Sequence, residues 1–167
     1  AKTGSLQEPV LGAWREALAG IGSDFEQRRV LTALLARGEP AATRIALENA
    51  AGIGSDFEAR SVLEAAVDQV RADAGVRAAW FEVFGGVGSD FEQRQALQAL
   101  IEAGPVDIAM ANDVLAALAK VGLDHEALQV MRTLAAAMPA DAALIERYRA
   151  ASRRLSDHER GQAERAL

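Results

Sequence analysis

Apolar residues recur along this chain as short stripes of helical spacing. Val30, Leu31, Leu34 and Leu35 form one stripe, and Val62, Leu63, Ala66 and Val67 a second. Ala96, Leu97, Leu100 and Ile101 form a third, and Val130, Met131, Leu134 and Ala135 a fourth. Offsets of one, three and four residues keep each set on one face of a helix, with polar positions between them on the other. Gly38-Glu39-Pro40, Gly75, Gly104-Pro105 and Pro139 interrupt the stripes and mark helix ends. The pattern predicts first helices at 9–20, 41–51, 76–85, 106–120 and 140–153. Second helices are predicted at 24–37, 56–73, 90–103, 124–137 and 157–166.

The stripes belong to an internal repeat. Gly22-Ser23-Asp24-Phe25-Glu26, Gly54-Ser55-Asp56-Phe57-Glu58 and Gly88-Ser89-Asp90-Phe91-Glu92 are near-copies. Gly122-Leu123-Asp124-His125-Glu126 and Leu155-Ser156-Asp157-His158-Glu159 are weaker ones. Their aspartates are 32, 34, 34 and 33 residues apart. Nine residues before the motif's second position stand Trp14, Ala46, Trp80 and Val114, and two before it stand Ile21, Ile53, Val87 and Val121. A period of this length is the mark of stacked helix pairs that bury a core between neighbours. The predicted fold is therefore all-α, an α-solenoid of five helix-turn-helix repeats at about 9–38, 39–74, 75–104, 105–138 and 139–167, forming one domain. Residues 1–8 read as a tag remnant or disordered lead-in, since AKTGS resembles a vector scar or processing site.

The two ends of the array differ. In the fifth unit Arg147 stands at the Trp/Ala/Val position, Arg154 at the Ile/Val position and Glu164 at a leucine position, as expected of a polar capping repeat. The first unit keeps Val10, Leu11, Trp14 and Leu18. That pattern predicts more protein packed in front of it, and the chain reads as a piece of something longer.

The repeated Ser-Asp-Phe-Glu pairs two carboxylates, but its spacing is that of a capping box: a serine that accepts the N–H three residues on, and a glutamate that reaches back. Ser23 with Glu26, Ser55 with Glu58, Ser89 with Glu92 and Ser156 with Glu159 are the expected caps, with the aspartates favouring the positive end of the helix dipole. Phe25, Phe57 and Phe91 read as wedges between repeats rather than ligand platforms. Arg28, Arg60 and Arg94 follow their aspartates by four residues, so either each pair is local or each arginine meets a carboxylate of the next unit in a ladder. His125 and His158 take the phenylalanine position in consecutive units, flanked by Asp124, Glu126, Asp157 and Glu159. They are the weak candidates for a metal site, without the close helical spacing of zinc enzymes. The plainer expectation is no metal.

Composition narrows the functional classes. Half of the residues are hydrophobic, a quarter are charged and the formal net charge is −6, which opposes binding to nucleic acid and to anionic lipid. Cysteine is absent, so there are no disulfides and no thiolate chemistry, and the compartment stays open. No apolar run is long enough to span a bilayer. Neither a phosphate loop nor a nucleophile elbow is present, and the single Tyr148 stands in no catalytic setting, so neither enzyme activity nor a cofactor is expected. Arg147, Arg149, Arg153, Arg154, Arg160 and Arg165 gather near the end as a solvated basic edge.

With its apolar residue, small residue, Ser-Asp-aromatic-Glu and following Val-Leu and Leu-Leu, residues 20–167 resemble HEAT-like helical repeats with a Ser-Asp-Tyr-Glu signature. Such repeats occur in uncharacterised bacterial proteins and in extensions of antibiotic-sensor (BlaR-type) membrane metallopeptidases. Phenylalanine stands here where that pattern has tyrosine. The resemblance implies a bacterial source and an extracytoplasmic location. It implies no peptidase activity, because the His-Glu-x-x-His motif is missing. A tetratricopeptide signature cannot be laid on these units in one register. The function expected is a non-catalytic scaffold for a protein or peptide partner, with Arg44, Glu48, Arg77, Glu82, Asn112 and Asp113 on the first helices as contacts. The alternative is a spacer or regulatory appendage of a larger protein, held against an upstream domain.

Overall fold

The computed structural model of the protein describes residues 8–167, and these form helices, turns and no strand. The first seven residues of the expected lead-in and the side chains of Val10 and Leu11 lie outside the described part. The chain forms two compact units, one running to Val87 and the other from Gly88 to Leu167.

In the first unit the helices are α1 (Glu8–Ala19), α2 (Asp24–Leu35), α3 (Pro40–Ala50), α4 (Asp56–Ala65), α5 (Val67–Ala72) and α6 (Ala74–Gly86). Four of these begin where the sequence supplies a start. Ser23 and Ser55 accept the N–H of Glu26 and Glu58, Pro40 opens α3 with a φ already suited to a helix, and Asp73 accepts N–H bonds from Gly75 at 2.8 Å and Val76 at 3.0 Å. After α2 the chain turns at Gly38, whose φ of +69° is left-handed and open to glycine at no steric cost. Helix α3 packs on α1 and α6, and α2 packs on α3 and α4, so helices of like position in successive repeats are neighbours. Their shared core holds Leu31, Leu34, Leu35, Ile45, Leu47, Val62, Leu63, Val76 and Trp80, all buried.

The single helix predicted at 56–73 is broken at Ala66, where φ −92° and ψ −4° turn the backbone between α4 and α5. At this bend the Leu63 carbonyl accepts the Trp80 indole N–H at 2.8 Å. Trp80 also stacks on Phe84 at 5.7 Å and meets Phe81 edge-on at 4.9 Å.

In the second unit the helices are α7 (Asp90–Glu102), α8 (Ile108–Ala117), α9 (Asp124–Ala137), α10 (Ala142–Ser152) and α11 (Asp157–Glu164). A 3-10 turn over Leu118–Lys120 continues α8, so the predicted span ends in a tighter helix. Asp107 and Asp141 cap α8 and α10 by accepting the N–H of Met110 and Leu144. Helix α9 packs on α7 and α11, and α10 packs on α8 and α11.

The fifth repeat corrects the expected alignment. Arg147 and Arg154 are exposed, and the buried places belong to Tyr148 and Leu155, one residue later. Tyr148 donates toward the carbonyls of Met131 and Ala163, both at 3.1 Å, as Trp80 does toward Leu63. The connection from Leu155 to Asp157 is one residue shorter than that from Val121 to Asp124, so counting back from the serine slips the register by one. Arg154 is also more than a polar replacement, since its guanidinium donates to the carbonyls of Leu118 and Val121 and closes the end of the 3-10 turn.

Burial pushes the Tyr148 phenol up to about 12 from 10.0, against the opposing charge of Arg132. A raised value in the folded state means that this contribution is complete below pH 10 and is lost as pH climbs toward 12. Stability measured by denaturant titration is therefore expected to fall between pH 10 and 12, and Tyr148→Phe should flatten that slope. An unchanged slope in the variant would assign the loss to other groups.

Candidate functional site

The repeated motif is where the structure departs most from its expected role. Ser23, Ser55 and Ser89 make the first half of the capping box, each accepting the glutamate N–H at 3.4–3.5 Å. The reciprocal half is made differently. Glu26 pairs with Arg29 and Glu58 with Arg28 of the preceding repeat, while the Ser55 N–H donates to Asp24 Oδ2 at 2.8 Å. Ser156 does not accept the Glu159 N–H; its hydroxyl donates to the Glu159 carboxylate.

The aspartate of one repeat thus caps the helix of the next. In the second unit Asp90 accepts the N–H groups of Gly122 at 2.7 Å and Leu123 at 3.0 Å, and Asp124 accepts that of Ser156 at 2.9 Å. The ladder reading of the arginines holds at Arg28–Glu58 and at Arg94–Glu126. Arg94 also donates to Gln98 at 2.6 Å, and Gln98 to Thr133 at 3.0 Å, which extends the clasp along α7 and α9. At these two junctions the paired charge-assisted contacts set both the spacing and the rotation of adjacent second helices.

Phe25, Phe57 and Phe91 are not wedges. They are 49%, 53% and 47% exposed, and each carries a guanidinium over its ring: Arg28 at 5.0 Å, Arg60 at 4.9 Å and Arg94 at 4.8 Å. Each ring supports its arginine by a cation–π contact: Arg28 and Arg94 belong to the clasp, while Arg60 pairs with Glu64 of its own helix. Helical geometry carried a signal for the exposure of the rings. Phenylalanine precedes the first stripe residue by five positions, which turns it about 140° away from the apolar face.

Of the proposed contact residues, Arg44, Glu48 and Glu82 are exposed and Arg77 is half-buried, on the adjacent helices α3 and α6. Arg44 lies beside the start of α6. The Asp73 carboxyl is held below its ordinary 3.8 by the Val76 N–H, then by that of Gly75 and by the Arg44 charge, against desolvation. Asn112 and Asp113, on α8, are half-buried, and the Asn112 amide oxygen is enclosed without a hydrogen-bond partner.

His125 is exposed with Nε2 2.9 Å from Glu126 Oε1, and His158 Nε2 lies 2.6 Å from Gln162 Nε2. The Glu159 carboxyl is held below its ordinary 4.5, first by the Ser156 hydroxyl and its own N–H, then by the two histidines against desolvation. Among the described residues no group of three or more His, Cys, Asp or Glu side chains is placed to hold a metal ion. No helix among them is long and apolar enough to cross a membrane.

Two recesses border the first repeat, one of them shared with the second. One of about 150 Å³ is lined by Leu18, Gln27, Leu31, Asn49 and Gly52. The other, an open cleft of about 350 Å³ between α1 and α2, is lined by Trp14, Glu26, Arg29, Val30 and Ala33. Compared with known protein families, curated proteins and solved structures, the chain matches none.

Proposed function

We propose that this chain is a HEAT-like α-solenoid that holds a protein or peptide partner along its first helices. The observation that carries this reading is a division of labour among polar groups. Three of the four polar residues buried among the described ones serve the backbone or a repeat junction: Thr43 donates to the Glu39 carbonyl, Ser152 to the Arg149 carbonyl, and Glu126 pairs with Arg94. Arg44, Glu48 and Glu82 instead face solvent on α3 and α6, over a core that tolerates their variation. Neighbouring charges of both signs suit a partner segment that also carries both, and they favour specificity and rate of encounter over raw affinity. The resemblance to HEAT-like bacterial repeats supports the same architecture.

The test is capture of partners from a lysate of the source organism, beside a variant carrying Arg44→Glu, Glu48→Arg, Arg77→Glu and Glu82→Arg. A partner held by the parent and lost by the variant, whose helical content and Tm stay at the parent's values, is the expected result. Capture that is equal for both proteins removes this surface from the reading and leaves the spacer role in its place.

A further inference from the structure

The clasp between repeats has two halves, and the first repeat displays one of them without its complement among the described residues. At the junctions of the first repeat with the second and of the third with the fourth, the incoming repeat contributes an aspartate carboxylate and, from a position four residues later, an arginine. The receiving repeat contributes a backbone N–H at its helix start and a glutamate carboxylate, over a buried apolar patch. Those receiving elements in the first repeat are the Ser23 N–H, the Glu26 carboxylate and the cleft lined by Trp14, Val30 and Ala33.

Burial along the repeats marks the same face. Val62, Ala96 and Val130, which take the place of Val30 in later repeats, are wholly buried, and so are Ala46, Trp80 and Val114 at the place of Trp14. Val30 and Trp14 are only half-buried. Glu26 is paired with Arg29 of its own helix, an exposed contact that an incoming arginine can displace at little cost, because such surface pairs contribute little.

We propose that this face of the first repeat is a docking site for a further helix-pair repeat. The matching repeat presents an aspartate in the first turn of its second helix and an arginine four residues on. Its aspartate accepts the Ser23 N–H, its arginine takes Glu26 from Arg29, and its apolar side chains fill the cleft against Trp14 and Val30. A second copy of this chain is the poorer fit, because the fourth and fifth repeats carry Leu128 and Gly161 where the complement needs arginine. This face is separate from the charged surface of α3 and α6, so either proposal can fail while the other stands.

The test supplies the complement in tethered form. Residues 8–39 are duplicated in front of Glu8, in place of residues 1–7, with Trp14→Ala in the copy. The copy then meets the first repeat at the 32-residue spacing by which the first repeat meets the second. Made in a Trp80→Phe background, the protein has the original Trp14 as its only indole. Stacking should move Trp14 emission toward that of a buried indole, protect it from acrylamide, and raise Tm by at least about 4 °C. Asp24→Asn with Arg28→Gln in the copy alone should reverse most of the shift while leaving the rest of the protein folded. A copy that leaves Trp14 emission and Tm at the parent's values overturns the proposal, since the same sequence stacks on the second repeat in its native place. Concentration-dependent self-association of the unextended parent that buries Trp14 also overturns it, by giving the face to a second copy.

Discussion

Trp80→Ala is expected to lower the unfolding free energy by about 3–5 kcal/mol, the range for removing a large aromatic from a closed core. Trp80 has no exposed surface, stacks on Phe84, and donates its indole N–H to the Leu63 carbonyl at the bend between α4 and α5. The substitution opens a cavity and leaves that carbonyl in an apolar site with one partner fewer. Trp80→Phe keeps most of the volume and loses the hydrogen bond, so it should cost about 1–2 kcal/mol. Trp14, at the matching position but half-buried, provides the contrast: Trp14→Ala should cost much less than Trp80→Ala. Denaturant titration of the three variants decides the matter, and comparable losses for Trp14→Ala and Trp80→Ala would show that burial is not what distinguishes them.

Arg94→Ala should cost about 3–5 kcal/mol, because it leaves a poorly solvated carboxylate with only the exposed His125 beside it. The Glu126 side chain is 8% exposed, and Arg94 is its partner across α7 and α9. Replacing both residues by apolar ones of similar size, Arg94→Met with Glu126→Leu, should recover most of the loss, since neither charge is then left alone. The pair Arg29–Glu26 sits in the same motif but is exposed on both sides, and Arg29→Ala should change stability by less than about 0.5 kcal/mol. A double-mutant cycle for each pair measures the difference directly. Equal coupling energies at the two pairs would mean that the clasp contributes no more than an ordinary surface contact.

These effects all turn on which residues meet across repeats, and the amino-acid sequence was informative about that only in part. The period, the helix spans apart from the break at Ala66, and the starts at Ser23, Ser55 and Ser89 were legible, because periodicity and capping are local and depend on residues three or four apart. The destination of the motif's charges was not. Asp24 and Arg28 are four residues apart on one helix and read equally well as a local pair. Their partners, the Ser55 N–H and Glu58, lie about one repeat away and are selected by how α2 and α4 pack. The exposed setting of Phe25, Phe57 and Phe91 was readable from their angle to the apolar stripe, but hydrophobic character suggested burial instead.

By itself the sequence determined that this protein is all-helical, repeated and closed by polar starts, because each of those properties follows from short-range hydrogen bonding and the spacing of apolar residues. Tertiary structure alone decided that the motif is a clasp rather than a self-contained capping box. It also decided that Tyr148, not Arg147, fills the buried place in the fifth repeat, and that Trp14 and Val30 stay half-open on the first. The reason is that a backbone N–H, a carboxylate and an arginine are each able to pair with several partners, and only the packing of one helix on the next brings a particular pair within reach.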